Sequence, residues 1–319
     1  MKQIPINDIN PGDADNVLLW ISNTAELKLR KAHIRETGSA DEGITRPSMV
    51  DVNGERYFRK DSRNIDNSDD IEMIINFIGR YLGIKMAHEE RCLSRSGSAE
   101  SFLSRDVTDG STSSFYSMRE AAGFISGLPC VDKNAIAKWR DEYKHLNRPA
   151  YPECKEAFEL RAGDNTEVAM VIRYGLLVCS VLEKADMTDP RVFRNDYFNM
   201  LFLDFLTSQV DRTQGNYGVL YDKQKNHIDF APLFDNATLK KPYTEDGVCM
   251  VNGYICNRDT VFQELAVYDD FRAMAARAIE KEDQLMRHLE VLSEVFLEEW
   301  QKNLLLGNLK EGFDYLRTI

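Results

Sequence analysis

Several features that would define a function class are scarce in this 319-residue sequence. Its six cysteines form no C-x-x-C pair and it has only five histidines, so no zinc-ligand cluster can be drawn. No apolar run approaches the roughly 20 residues that span a bilayer, and the N-terminus lacks the apolar core of a cleaved signal. No segment repeats with a period typical of solenoids. We therefore expect a cytoplasmic protein with reduced thiols and no membrane insertion, and only a signal-independent route would export it.

Positive charge is also in deficit. The chain has 40 Lys and Arg against 52 Asp and Glu, which gives a net charge of −12. Because bulk negative charge repels polyanions, the balance predicts no direct nucleic-acid binding. A phosphate ligand would need a local basic cluster or a metal ion. The hydrophobic fraction of 43% and the charged fraction of 29% are those of an ordinary globular protein.

The apolar pattern of the first third is strand-like. Short runs at Val17–Ile21, Arg56–Arg59 and Ser101–Arg105 are separated by polar loops. One helix interrupts them, beginning near Ser68 with an apolar stripe at helical spacing and ending at Gly83. The pattern predicts a small β-rich unit with one helix.

Helical patterns dominate the rest of the chain. They are clearest over Arg191–Gln209 and Glu282–Leu305. The small polar residues of 106–114 predict a hinge between the two parts. We therefore predict an α+β, bilobal fold, with an N-lobe over 1–107 and a larger, mainly helical C-lobe over 108–319. Kinases use such a layout, but layout alone does not establish function.

The segment richest in chemistry follows the apolar helix. It reads D-R-T-Q-G-N-Y-G-V-L from Asp211, and H-I-D-F-A-P-L-F-D-N follows downstream. Phosphoryl transfer needs a carboxylate that accepts the substrate hydroxyl's proton, and an Asn and a second carboxylate that hold metal ions. Asp211, Asn216 and an acid after a strand fit that requirement. The alternative is an ordinary turn with Gly and Asn in the left-handed conformation.

An upstream pair favours the catalytic interpretation. Lys60 ends a strand-like run, and Glu72 lies in the first turn of the helix that follows. In kinases a strand lysine held by a helix carboxylate meets the α- and β-phosphates. Either residue alone is more typical of a solvated surface charge, so the interpretation depends on the pair together with the loop.

Two downstream acids are alternative metal ligands. Asp229 lies in H-I-D-F, as in phosphoinositide kinases, and Asp235 lies in A-P-L-F-D-N. Strands at Tyr217–Tyr221 and near Ile228–Phe230 would form a hairpin, and alternation turns Asp229 away from its two apolar neighbours. The proline that follows ends the ladder, so the chain can turn Asp235 back toward Asn216. We predict Asp235 as the ligand.

These motifs together resemble the HipA-like serine/threonine kinases. The loop, the A-P-L-F-D-N segment and the run I-E-M-I-I with its L-G-I helix end occur in the family's order and cover about a third of the chain. The likeness is strongest to the family's short, stand-alone bacterial members. It implies a protein-kinase-like fold, ATP and Mg²⁺ as cofactors, a protein substrate and autophosphorylation. Thr213 departs from the pattern, since many members have His there.

The resemblance assigns roles to individual residues. It makes Asp211 the catalytic base and Asn216 and Asp235 the metal ligands. Lys60 becomes the phosphate-binding lysine, and Glu72 becomes its partner.

The resemblance also places the nucleotide. The phosphate loop is expected around 37–45, with Gly38 and Ser39. A hinge strand from Leu103 through Arg105 to Val107 would supply the backbone donors and apolar walls that a purine requires. Autophosphorylation is expected in the small lobe's loops. The candidates are Ser39, Thr45 and Ser48.

Two other functions stay open from the sequence. One is a phosphoinositide or small-molecule kinase, although the acidic balance disfavours a lipid surface. The other is a catalytically inactive nucleotide-binding scaffold. HipA-like kinases often work beside a DNA-binding antitoxin, and the extra N-terminal subdomain of the longer members finds no room here. An antitoxin-like partner is therefore an expectation that only the resemblance supports.

Overall fold

A computed structural model describes a large part of the chain. The described residues are 30–31, 34–39, 48–52, 54–60, 68–93, 100–108, 112–118, 120–121, 168–169, 171–173, 175–176, 188–213, 215–236, 247–251 and 253–319. This part combines antiparallel sheets with helices. The strand predicted at 17–21 lies outside the described residues.

The first third of the chain forms a six-stranded sheet in the order β1-β5-β6-β4-β3-β2. The strands are β1 (Arg30–Lys31), β2 (Ile34–Ser39), β3 (Ser48–Val52), β4 (Glu55–Lys60), β5 (Glu89–Leu93) and β6 (Glu100–Arg105). The strands predicted around residues 57 and 103 are confirmed as β4 and β6. Neighbours are antiparallel except β1 and β5. Tyr57, Phe102 and Leu103 are buried because β4 and β6 are interior strands.

Within its described residues, the later part of the chain adds two smaller sheets and four helices of eight residues or more. A three-stranded sheet contains β7 (Ser113–Ser117), β8 (Gly218–Asp222) and β9 (His227–Phe230), and a hairpin contains β10 (Val248–Val251) and β11 (Tyr254–Asn257). The helices are α2 (Pro190–Thr207), α3 (Arg258–Leu265), α4 (Asp269–Phe296) and α5 (Glu299–Leu316), and helix α1 (Ser68–Tyr81) precedes them.

Helix α1 confirms the helix predicted from Ser68. Its apolar stripe is buried, and Gly83 ends it with φ +83°, a conformation that glycine adopts without a Cβ penalty. The helix packs against α4. The Tyr81 hydroxyl donates to Oε1 of Gln284 at 2.8 Å, and Nζ of Lys281 donates to the Tyr81 carbonyl at 3.0 Å. Helix α1 thus joins the first part of the chain to the last.

Helix α2 is the centre of the core. Its residues from 197 to 207 are almost all buried, and α2 contacts α4, α5, β9 and β10. A helix buried on nearly all sides has no polar face, which explains the almost continuous apolar run that the sequence shows. Asp189 caps its start through the Arg191 amide, and α2 confirms the helix predicted over Arg191–Gln209. Its last turn delivers the loop that begins at Asp211.

The predicted hinge stretch 106–114 is wrong at its end, where Ser113 and Ser114 of β7 pair with Asp222 and Tyr221 of β8. The composition of a short, polar strand does not distinguish it from a linker. The sequence pattern does not indicate strands β10 and β11, but the described residues of the later part are mainly helical, as predicted. The division into two lobes at residue 107 stays a prediction.

The helical pattern predicted over 282–305 is confirmed, but it falls on two helices. Helix α4 ends at Phe296, and a capping box starts α5, in which the Glu298 amide donates to Oε1 of Gln301 at 3.1 Å. Apolar periodicity continues across this junction, so the period did not reveal the break. No helix among the described residues has the length and apolar character needed to cross a bilayer.

Candidate active site

The loop after α2 is fixed at both of its sides. Ser208 ends the helix in the left-handed conformation with φ +51°. The side chain of Gln209 then accepts a hydrogen bond from the Asp211 amide at 3.0 Å. The β10–β11 hairpin binds the loop's main chain, because the Met250 amide donates to the Gln209 carbonyl at 2.6 Å and the Gly253 amide donates to the Arg212 carbonyl at 2.8 Å.

Arg212 is the centre of this loop and has no exposed surface. Its Nε and Nη2 contact the carboxylate of Asp204 at 3.0 Å. Its Nη1 donates to the carbonyls of Asn216 at 3.0 Å and Phe234 at 3.3 Å. Its Nη2 also donates to Oδ1 of Asn236 at 2.7 Å. These bonds use the five N–H donors of a guanidinium, so this buried cation is fully satisfied.

The contacts of Arg212 bring the predicted catalytic segments together. The carbonyls of Asn216 and Phe234 share one nitrogen, so these two oxygens lie within about 6 Å of each other. Asp235 lies between Phe234 and Asn236 in the chain, and both of these neighbours accept hydrogen bonds from the Arg212 guanidinium. Asp211 directly precedes Arg212. Asp211, Asn216 and Asp235, predicted as base and metal ligands, thus flank one buried side chain.

The orientation of Asn216 suits a metal ligand. Its Nδ2 donates to the Asp211 carbonyl at 2.7 Å, which fixes the amide and leaves the opposite oxygen, Oδ1, as the atom available to a metal ion. Asp235 has φ +52°, a region that Asp tolerates better than most residues and that turns the chain sharply. Both side chains are half-buried. In the described part no three His, Cys, Asp or Glu side chains cluster closely enough to form a complete metal site.

Asp204 balances the charge of Arg212. Burial raises the pKa of the Asp204 carboxyl, and the neighbouring guanidinium opposes that increase. A buried ion pair of this kind adds little net stability because both ions lose their hydration. It constrains geometry instead, since removing either partner would leave an uncompensated charge in the core.

The hairpin predicted across 222–226 is confirmed by β8 and β9. Ile228 and Phe230 are buried, whereas the Asp229 side chain is 53% exposed and contacts Nε2 of His227 at 3.3 Å. The predicted alternation is therefore confirmed. Asp229 lies on the face of the hairpin opposite the core. The contacts of Arg212 are made with the two neighbours of Asp235, not with those of Asp229.

The segment before Asp235 also contacts the chain that leaves α1. The Leu233 amide donates to the Lys85 carbonyl at 2.9 Å, and the Ala87 amide donates to the Leu233 carbonyl at 2.8 Å. Nζ of Lys85 donates to the Phe230 carbonyl at 2.8 Å. The A-P-L-F-D segment is consequently held by Arg212 on one side and by residues 85–87 on the other.

Comparison with solved structures finds a protein of similar fold. The chain is similar to the Helicobacter pylori proinflammatory kinase CtkA, with a TM-score of 0.55 and 14% identity over 90% of this chain and 95% of CtkA. The chain has a HipA-like kinase-type fold. The predicted resemblance to short, stand-alone HipA-like kinases is thereby confirmed at the level of fold.

Two further structures share less. HipA from the Shewanella oneidensis MR-1 HipA, HipB and operator DNA complex has a TM-score of 0.45 and 11% identity over 96% of this chain and 70% of HipA. The FAT and kinase domain of CtTel1 has a TM-score of 0.36 and 11% identity over 99% of this chain and 24% of that protein. No family model matches the sequence, and no curated protein does.

In the HipA-like fold the predicted phosphate-binding pair lies on β4 and α1. Lys60 is the last residue of β4, opposite Phe102 of β6, and its side chain lies outside the described residues. Arg59 pairs with Leu103 one register position earlier. Glu72 is buried in α1, with 3% of its surface exposed. The pairing of Lys60 with Glu72 stays a prediction.

The first residues of the predicted phosphate loop lie in a strand, and their contact with phosphate stays a prediction. Gly38 and Ser39 belong to β2, where they pair with Met49 and Ser48 of β3 after a register shift that follows Glu36. The sequence R-E-T-G-S carries no apolar alternation, so only ladder pairing reveals it as a strand. Residues 40–47, including the predicted modification site at 45, lie outside the described residues. The two candidate serines are register partners at the ends of β2 and β3.

The predicted adenine contacts stay a prediction, although backbone groups in much of the predicted hinge strand are already paired. Strand β6 is interior, so the backbone groups of Leu103 through Arg105 are used by its two neighbours. The Arg105 amide donates to the His88 carbonyl at 2.7 Å, and the Asp106 amide donates to the Arg56 carbonyl at 2.9 Å. An apolar run in a sequence does not reveal how many strands flank it. The Arg105 side chain forms a surface ion pair with Glu55.

Sequence reasoning gave no role to Arg212, Asp204 or Asn236. One signal was present, because Asp204 is the single acid in an apolar stretch, F-L-D-F-L. An acid eight residues before an arginine, at the end of a buried helix, indicates a buried ion pair. Nothing in the sequence indicated that Asn236 shares that arginine.

Proposed function

We propose that this chain is an ATP- and Mg²⁺-dependent serine/threonine protein kinase of the HipA-like type. It transfers the γ-phosphate of ATP to a hydroxyl of a protein substrate. The observation that carries this proposal is the set of contacts made by Arg212, which hold Asp211, Asn216 and Asp235 on adjoining segments. The kinase-type fold supports it independently.

Asp211 acts as the catalytic base in this proposal. Its backbone is fixed by Gln209, and its half-buried position leaves the carboxylate accessible to a substrate hydroxyl. The carboxylate accepts the hydroxyl proton as the oxygen attacks the γ-phosphorus and the β–γ bridging oxygen departs with ADP. A positioned base of this kind contributes about 10²- to 10⁴-fold in rate.

Asn216 and Asp235 would hold Mg²⁺, together with phosphate oxygens and water. Magnesium prefers oxygen ligands and retains several waters, so one amide and one carboxylate suffice beside a nucleotide. When bound, the ion neutralises negative charge on the triphosphate. Lys60, positioned by Glu72, would contact the α- and β-phosphates. Autophosphorylation would fall on Ser39, Thr45 or Ser48, and phosphopeptide mapping tests it.

The lipid or small-molecule kinase alternative depends on Asp229 as a metal ligand. Its exposure and its contact with His227 disfavour that role. Asp235 also has a neighbour on each side bound to Arg212, whereas no contact described for Asp229 reaches the loop. These observations favour the protein-kinase layout.

Two matched variants test the proposal. Pure protein is incubated with labelled ATP and Mg²⁺, with and without a generic protein substrate, and the products are analysed by mass spectrometry. We expect Asp235→Asn to raise the Mg²⁺ requirement and nearly stop turnover, because it removes a charged ligand. Asp229→Asn should change little.

Each other outcome has a distinct meaning. A large loss in Asp229→Asn with an active Asp235→Asn would overturn this layout and make a lipid or small molecule the first acceptor to test. Nucleotide binding by the wild-type chain without any phosphoryl transfer would support the inactive scaffold.

A further inference from the structure

Arg212 contacts the neighbours of Asp235 but makes no contact with the Asp235 carboxylate among its described hydrogen bonds. It binds the Phe234 carbonyl on one side and Oδ1 of Asn236 on the other. Because Phe234 and Asn236 are both bound to Arg212, the backbone of Asp235 between them is restrained. This matters because Asp235 has φ +52°, a conformation that a free chain visits rarely at a non-glycine residue.

The Asn236 bond is the one side-chain link between Arg212 and this segment. Asn236 is fully buried, and at 2.7 Å its bond to Nη2 is the shortest that Arg212 makes. A bond from a charged donor is about twice as strong as one between neutral groups. The other amide atom of Asn236, Nδ2, has no hydrogen-bond partner in the part of the chain that the structure describes. The accepting oxygen is therefore what Asn236 contributes.

We propose that Asn236, through Arg212 and Asp204, is a positioning residue that sets where the Asp235 carboxylate stands relative to Asn216 and Asp211. The inference rests on the proposed function, since it concerns the same metal site. Asn236 itself touches neither metal nor substrate. It acts by linking the metal-ligand segment to the guanidinium that also holds the Asn216 carbonyl.

Two variants of Asn236 distinguish the effect of its hydrogen-bond acceptor from the effect of its side-chain volume. Asn236→Leu has similar shape but no acceptor. Asn236→Asp keeps an oxygen for Nη2, but it replaces the unpartnered amide by a second oxygen and adds a negative charge beside Arg212. Residues that orient metal ligands typically affect metal affinity or activity about 10- to 100-fold. We expect Asn236→Leu to raise the Mg²⁺ concentration for half-maximal phosphoryl transfer by about that factor. Asn236→Asp should restore most of it.

The matched control is a second buried ion pair, between Arg173 and Glu264 at 3.0 Å. Both side chains are less than a tenth exposed, and neither belongs to the loop. Glu264→Gln weakens a buried arginine's contacts as Asn236→Leu does. It should lower the melting temperature without changing the Mg²⁺ requirement.

Two measurements do not depend on turnover. Mn²⁺ binding to the whole protein with a non-hydrolysable ATP analogue, followed by electron paramagnetic resonance, should weaken in Asn236→Leu and recover in Asn236→Asp. Amide hydrogen exchange in peptides covering 211–217 and 231–236 should accelerate in Asn236→Leu but not in Glu264→Gln.

The outcomes divide clearly. Wild-type Mg²⁺ dependence, Mn²⁺ binding and exchange in Asn236→Leu would overturn the positioning role, as would failure of Asn236→Asp to recover any of the three. If Asn236→Leu does not fold, Asn236→Ala replaces it, because that variant also removes the accepting oxygen, and wild-type Mg²⁺ dependence in Asn236→Ala would overturn the positioning role. Absence of phosphoryl transfer by the wild-type chain, with the exchange pattern as expected, would overturn the proposed function and leave the Asp204–Arg212–Asn236 network standing.

Discussion

Arg212 and Arg258 are both buried cations that donate to main-chain carbonyls, but they hold different kinds of structure. Arg258 binds the Phe205 and Leu206 carbonyls at the end of α2 at 2.9 and 3.0 Å, and the Asn308 carbonyl of α5 at 2.6 Å. Its carboxylate partner, Glu311, is half exposed. Arg258 thus joins two regular helices, and its cation satisfies two carbonyls at the C-terminal end of α2.

Arg212 holds irregular backbone instead, and its carboxylate partner is buried in the core. Regular helices retain their shape through their own hydrogen bonds, whereas the loops at residues 211–216 and 234–236 have few bonds of their own. The comparison teaches that loss of Arg258 should affect stability, and loss of the contacts around Arg212 should affect the position of chemical groups. The two regions can be tested separately.

The largest effect is expected where the Arg212 region meets the substrate. Asp211→Ala should lower phosphoryl transfer by about 10²- to 10⁴-fold, because the base that accepts the hydroxyl proton is lost. Nucleotide binding and melting temperature should stay near wild-type values, since Asp211 is half-buried and does not anchor the triphosphate. Turnover and ATP binding are measured on the same preparation. Undiminished turnover would make the loop an ordinary turn.

The next effect concerns the Arg258 region. Arg258→Met should lower the free energy of unfolding by about 3–5 kcal/mol, because two buried carbonyls and one partly buried carbonyl lose a charged donor. Glu311→Gln is the matched control and should cost less than about 1 kcal/mol, since that carboxylate is half exposed. Denaturant unfolding measures both. If Arg258→Met lowers turnover per folded molecule more than stability, the contrast between the two arginines fails.

A smaller effect is expected at the strand that leaves the loop. At Gly218 of β8, a Cβ atom would collide with the Tyr116 carbonyl of β7. Gly218→Ala should therefore cost about 1–3 kcal/mol through overpacking. Gly307 of α5 has open space around it, so Gly307→Ala should stabilise the protein by about 0.5–1 kcal/mol. Thermal melts of the two variants should shift in opposite directions, and a shared direction would contradict the close approach of β7 and β8.

The smallest effect lies outside both arginine regions, where α1 meets α4. His288 is buried between the rings of Phe77 and Tyr81, and burial, assisted by Arg287, lowers its pKa below the usual 6.5. The unfolded chain therefore binds a proton that the folded chain refuses, so this histidine removes stability as pH falls below about 6.5. His288→Phe keeps a ring without that titration.

The measurement for His288 is a difference between two proteins. The free energy of unfolding of wild type should fall relative to that of His288→Phe between pH 7 and pH 5. A constant difference across that range would show that the histidine titrates equally in the folded and unfolded chains.

The sequence predicted the elements that local chemistry determines. The helix end at Gly83, the strand that ends at Lys60 and the alternation of β9 each follow from neighbouring residues, and each is confirmed. The succession of a helix, a loop at Asp211, a hairpin and a second loop at Asp235 was also predictable. The polar residues after Val210 interrupt the apolar run of the helix, and the proline at 232 ends the second strand of the hairpin.

What could not be predicted depends on pairing between distant segments. The register of Gly38 and Ser39 against β3, and the interior position of β6, are set by which strands lie alongside. The break at Glu298 leaves the apolar period unchanged. The partners of Arg212 depend on where its guanidinium lies in the folded core. The spacing of residues along the sequence does not specify that position.

The contacts of Arg212 have a consequence for folding. Its partners lie close in sequence, from Asp204 eight residues before it to Asn236 twenty-four residues after it. Helix α1 meets α4 across more than 200 residues instead, as in the Tyr81 to Gln284 bond. Short loops close at lower entropic cost and contacts between near residues form faster, so the stretch from α2 to Asn236 is suited to order early. We expect the candidate catalytic loop to acquire its shape before α1, and with it Glu72, docks.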